Sequence, residues 1–109
     1  MSVKEIIKKC SRLSVYEQRV VKDDYAELVF FSKDVVAWGE NIAEALGPAI
    51  KSAEAKPTKN ALDLTKDHGG IWDNQTLFGK EFNGYSIIAM FCPWQDEVHT
   101  TLKIICLKK

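Results

Sequence analysis

The stretch Cys92-Pro-Trp-Gln-Asp-Glu-Val-His99 holds a thiol, two carboxylates and an imidazole within eight residues. No other part of the chain gathers a nucleophile, an acid and a base so closely. Nucleophilic catalysis by a Cys/His pair needs the thiolate within hydrogen-bond reach of the ring, with a third group orienting the base. The sequence pattern argues against that here. If Cys92 ends one strand and pairs with Val98 of the next, Cys92 and His99 fall on opposite faces. The same residues then read as a structural thiol, a strand-surface His99 and a contact residue, Trp94, at a hairpin tip.

Asp67-His68-Gly69-Gly70 is the second candidate. Paired glycines after a helix can turn left-handed and expose amides as an anion-binding nest, with His68 adding a donor. Glycine is also the ordinary residue at a helix C-terminus. Metal binding finds no pattern. His68 and His99 lie 31 positions apart, there is no His-x-x-His or Cys-x-x-Cys, and Asp96, Glu97 and His99 make only a loose surface cluster. Leu46-Gly47-Pro48 and Phe78-Gly79-Lys80 lack the further glycines of a phosphate loop, and no serine sits in a nucleophile elbow. No cofactor is implied.

Those residues must be positioned by a scaffold, and composition bounds it. The chain has 109 residues, 46% of them apolar and 28% charged, which suits one globular domain over 1–109 with its own core. Lys plus Arg and Asp plus Glu both number 15, and that balance disfavours a nucleic-acid surface. Cys10, Cys92 and Cys106 are widely spaced and odd in number, as free thiols in a reducing compartment would be. Met1 to Lys9 lacks the apolar stretch of a secretory leader, and the longest apolar run, Ile87 to Pro93, is too short to span a bilayer. The expectation is a cytoplasmic protein without membrane or nucleic-acid partners.

Ser2-Val-Lys-Glu5 is a capping box, and Val3, Ile6, Ile7, Cys10 and Leu13 follow at helical spacing, predicting a helix over about 3–12. Ser14-Val-Tyr-Glu17 repeats the box, yet the apolar residues beyond it make no stripe. Tyr25 to Phe31 is rich in β-formers and reads as a strand, with Val15 to Val21 as its hairpin partner. Ser32 as N-cap and the spacing of Val35, Trp38, Ile42 and Leu46 predict a helix over about 33–46, stopped by Gly47-Pro48. Residues 51–60 read as a polar surface loop. Thr58 is placed to cap a short helix to about Lys66.

Asn83-Gly84 between two β-forming runs predicts a tight type I′ hairpin. A two-residue turn sets Phe82 opposite Tyr85 and Thr76 opposite Phe91. Alternation then places Phe78, Phe82, Tyr85, Ile87, Ala89 and Phe91 on one face, and Leu77, Ile88, Met90 and Cys92 on the other. A third strand over about 98–107, joined through Pro93 to Glu97, would add Val98, Leu102 and Ile104 to the Leu77/Ile88/Met90 side. That side is expected to pack on the helices.

The expected fold is α+β, with helices on one face of a four- to five-stranded, mainly antiparallel sheet ending in a β-meander. The aromatic face would be left in excess of what a monomer exposes. Phe78, Phe82, Tyr85, Ile87 and Phe91, bordered by Trp94 and His99, are therefore expected to meet a second copy of the chain or a small apolar ligand. The competing arrangement has the N-terminal helix cross over and cover them. A small cofactor-free enzyme using His99 with Asp96, or His68 with Asp67, is the alternative function.

Overall fold

The computed structural model describes residues 1–108. Helix α1 spans Val3–Lys9 and starts as the capping box implies, with the Glu5 amide donating to Ser2 Oγ at 3.2 Å. Strands β1 (Glu17–Val21) and β2 (Tyr25–Phe31) form a hairpin, so the second capping box at Ser14 makes no helix. A 3-10 turn over Ser32–Asp34 leads into α2, Val35–Leu46. Ser32 is not the side-chain cap expected of it. Its hydroxyl shares a hydrogen bond with Thr100 Oγ1 at 2.7 Å instead. Helix α3 spans Lys59–Thr65, and its Ala61 amide donates to Thr58 Oγ1 at 3.2 Å. Strands β3 (Thr76–Phe82), β4 (Tyr85–Pro93) and β5 (His99–Lys108) complete the chain.

The five strands form one antiparallel sheet in the order β1-β2-β5-β4-β3, with β3 to β5 as a meander at the C-terminal end. The β3–β4 register is the one the Asn83-Gly84 turn dictates, from Phe82 opposite Tyr85 to Thr76 opposite Phe91. The turn type is different. Gly84 has φ 87°, whereas Asn83 keeps a negative φ, so only the second central residue is left-handed. That is the pattern of type II, not type I′.

The β4–β5 register departs from expectation and inverts one strand. Cys92 faces Thr101, not Val98, and Ile88 faces Ile105. Pro93 continues the strand opposite Thr100, and the Trp94 amide donates to the His99 carbonyl at 2.8 Å. Only Gln95 to Val98 remain to make the reversal, with Glu97 at φ 61°. The slip is an odd number of residues, so every β5 side chain changes sides. Leu102 and Ile104 join Phe91 and Ala89.

That correction decides what the sheet buries. Helices α1 and α2 pack on the face carrying Ala26, Leu28, Phe30, Phe78, Ile87, Ala89, Phe91, Leu102 and Ile104, through Val3, Ile6, Cys10, Trp38, Ile42, Ala45 and Leu46. Phe30 stacks on Trp38 with centroids 5.0 Å apart and meets Phe91 edge-on at 5.4 Å. The short α3 lies against the other face, where Ala61 and Ile71 cover Leu77, Ile88, Met90 and Ile105. Among the described residues, no helix is long and apolar enough to cross a membrane.

Candidate functional site

The aromatic face is the interior of the protein. Phe78, Ile87 and Phe91 are buried beneath α1 and α2. The expectation that these rings face a partner is therefore corrected, because the odd register slip gave them the branched residues of β5 and with them the helical layer. Phe82 and Tyr85 sit at the margin of that core, half buried and stacked on each other at 5.1 Å.

The opposite face is covered over only part of its width. Side chains of α3 and Ile71 reach Leu77, Ile88, Met90 and Ile105. Toward β1 no helix follows, and side chains alone close the surface. Here Tyr25 donates its hydroxyl to Glu27 Oε1 at 2.6 Å, and Arg19 Nη1 donates to Glu27 Oε2 at 3.1 Å. These two bonds hold the Glu27 carboxyl below its ordinary range, the Tyr25 bond contributing most. The Arg19 guanidinium lies 5.6 Å from the Trp94 ring centre, a cation–π distance. Trp94 Nε1 donates to Thr101 Oγ1 at 2.8 Å, fixing the indole on the sheet.

His99 sits at the end of this strip among three rings. Its centroid is 4.4 Å from Tyr16, 4.7 Å from Trp94 and 5.5 Å from Phe31. Phe31 and His99 are direct cross-strand neighbours, and Tyr16 stands edge-on to Phe31 at 5.3 Å. Asp96 ties the hairpin tip together. Its Oδ1 accepts from the Val98 and His99 amides at 2.8 and 3.0 Å, and its Oδ2 lies 2.6 Å from His99 Nδ1. A carboxylate only accepts, so Nδ1 carries the hydrogen and Nε2 is left as the ring's second nitrogen. The His99 bond, followed by the two amides, draws the Asp96 pKa down to about 2.

The inverted register also brings Cys92 and His99 onto the same face, against expectation. They still make no catalytic pair. Cys92 is opposite Thr101, and the rings around His99 are those of Tyr16, Trp94 and Phe31. Burial pushes the Cys92 thiol pKa up, away from a reactive thiolate. No cluster of three or more metal-binding side chains occurs among the described residues.

The second sequence candidate is a helix ending. After the 3-10 turn Lys66–His68, Gly69 has φ 91° and Gly70 φ 73°, and the Gly70 amide donates to the Thr65 carbonyl at 2.9 Å. That amide is spent on the chain itself, which weakens the nest proposed for His68, Gly69 and Gly70. Trp38 is core, while Trp72 is exposed on the following loop.

One residue escaped sequence reasoning altogether. Lys51, read as loop surface, is 2% exposed. Its ammonium donates to the carbonyls of Ser52 (2.8 Å), Asp73 (2.8 Å) and Gln75 (2.6 Å). Its backbone pairs with Leu77 on the outer edge of β3. Burial lowers its pKa, and the nearby Asp73 charge opposes that shift. Tyr16, Arg19 and Glu27 were missed as site residues too. Alternation along β2 with Glu27 beside Tyr25 and Val29 was the available signal, but it needed the β2–β5 pairing to acquire meaning.

No protein-family model matches the chain, and neither a curated protein nor a solved structure matches it.

Proposed function

We propose that the protein is a binding module that works through the uncovered half of its second sheet face, and that a second copy of the chain is the occupant this surface suits best. The observation that carries the reading is the exposure of apolar groups on a rigid platform. Tyr16 is 52% exposed, beside rings held in place by the Trp94–Thr101 and Asp96–His99 bonds. Aromatic groups fixed in advance lose little entropy on docking. Charge supports self-association. Arg19 lies between Glu17 and Glu27, at 3.4 and 3.1 Å, so opposite charges alternate across the strip. A two-fold axis can set each sign against its opposite.

Sedimentation velocity over a rising micromolar series tests this. The expected result is a dimer mass at high concentration that reverts to monomer in Tyr16→Asp. A strict monomer at every concentration overturns the self-association.

The Asp96–His99 contact at 2.6 Å favours a second reading, an acid–base enzyme with Nε2 as the working nitrogen. Hydrolysis of p-nitrophenyl acetate above background, lost in His99→Gln and reduced in Asp96→Asn, would support it. Equal background in all three proteins would remove it.

A further inference from the structure

Where the first sheet face runs past α1 and α2, it ends in an open, shallow groove of about 440 Å³, lined by Met1, Ser2, Asp23, Gly84, Tyr85, Cys106 and Lys108. Small-molecule sites fall within roughly 300–1,000 Å³, are mainly apolar and carry a few polar groups that orient the ligand. We infer that this groove binds a small amphipathic carboxylate, with its apolar body on Tyr85, Cys106 and Met1 and its carboxylate at Lys108. The inference is independent of the second-face reading, which concerns the other side of the sheet.

Two features select that class. The floor is apolar and firm, because the Tyr85 hydroxyl is committed. It donates to the Met1 carbonyl at 2.7 Å and accepts from the Met1 amine at 3.1 Å, while Phe82 stacks on the ring at 5.1 Å. The rim charge is unbalanced. Asp23 is engaged by Lys4 at 3.3 Å, whereas Lys108 makes no ion pair among the described residues. An anionic group gains there and an ammonium does not. The second pocket, about 120 Å³ beside Ile50, Leu64 and Ile88, is too small for such a ligand.

Titration of the intact protein with sodium octanoate, followed by amide chemical shifts, tests the inference. Saturable shifts centred on Gly84, Tyr85 and Cys106 are expected, with octylammonium giving none. Lys108→Glu, a change on an exposed side chain, should weaken octanoate by about five-fold, the upper worth of one exposed ion pair. Cys106→Trp should abolish binding by filling the groove. If that variant misfolds, Lys108→Glu with the octylammonium comparison carries the test. Absence of saturable shifts, equal response to octylammonium, or shifts centred on Trp94 and His99 would each overturn the inference.

Discussion

Replacing Lys51 by Met isolates the buried ammonium while keeping most of its aliphatic stem. Three carbonyls lose a charged donor, those of Ser52, Asp73 and Gln75. A buried acceptor left unpaired costs about 1–3 kcal/mol. Ser52 and Asp73 belong to exposed residues, so water can reach them and the lower end applies, giving about 3 kcal/mol in all. Removing a charge whose burial lowers its pKa returns part of this. The net expectation is a loss of about 2 kcal/mol, or roughly 10 °C in Tm for a domain of this size. Urea unfolding should show a lower midpoint with an unchanged slope. Amide exchange should quicken at Leu77, whose N–H donates to the Lys51 carbonyl at 2.9 Å. Wild-type stability within about 0.5 kcal/mol, or a loss with Leu77 exchange unaffected, would refute the bonding of the Lys51 ammonium to these three carbonyls.

Other consequences follow from the same geometry. Asp96 has a depressed folded pKa of about 2, so its stabilisation is complete above the ordinary carboxylate value of 3.8 and is lost as pH falls from there toward 2. Glu27, also lowered, adds to the same acid slope. Acid unfolding of Asp96→Asn should be shallower than wild type between pH 4 and 2, and superimposable curves would contradict the Asp96–His99 bond. Burial raises the Cys10 thiol to about 11 and that of Cys92 as well, so labelling by iodoacetamide should reach Cys106 first and Cys10 only on unfolding. Peptide mapping by mass spectrometry checks the order, and native labelling of Cys10 would break it. Trp38 is buried with its indole N–H unpaired. Trp38→Phe sheds that orphan donor and should stay within about 1 kcal/mol of wild type, whereas Trp38→Ala should lose about 3–5 kcal/mol by cavity formation. Urea titration separates the two, and equal losses would mean that the N–H is in fact satisfied.

Much of the fold was legible because local signals left no slack. The Ser2 box starts α1, Thr58 caps α3, and the turn at Asn83-Gly84 sets seven cross-strand pairs without error. A two-residue turn admits one register whatever its dihedral type, so mistaking type II for type I′ did no harm. The β4–β5 reversal was different. Its length depends on whether Pro93 ends the strand, and on Asp96 folding back over the Val98 and His99 amides. Neither is decided by residue type alone. An odd error there exchanged the two faces, and the aromatic stripe was read as outward when it is core. Ser14-Val-Tyr-Glu17 shows the opposite failure: a good helix start with no apolar stripe beyond it yields to pairing with β2. The site itself was half visible. Trp94 and His99 stood out by type, whereas Tyr16, Arg19 and Glu27 are brought to them only by strand pairing, and Lys51 looked like any solvated lysine.

Which rings meet water is the point on which everything else turns, and a soluble nitroxide reports it directly through relaxation of aromatic proton signals. Strong broadening is expected for Tyr16, graded effects for Trp94 and His99, and sharp lines for Phe30, Phe78 and Phe91. Broadened Phe78 and Phe91 signals beside a protected Tyr16 would contradict this, and would return the aromatic stripe of β3 and β4 to the surface.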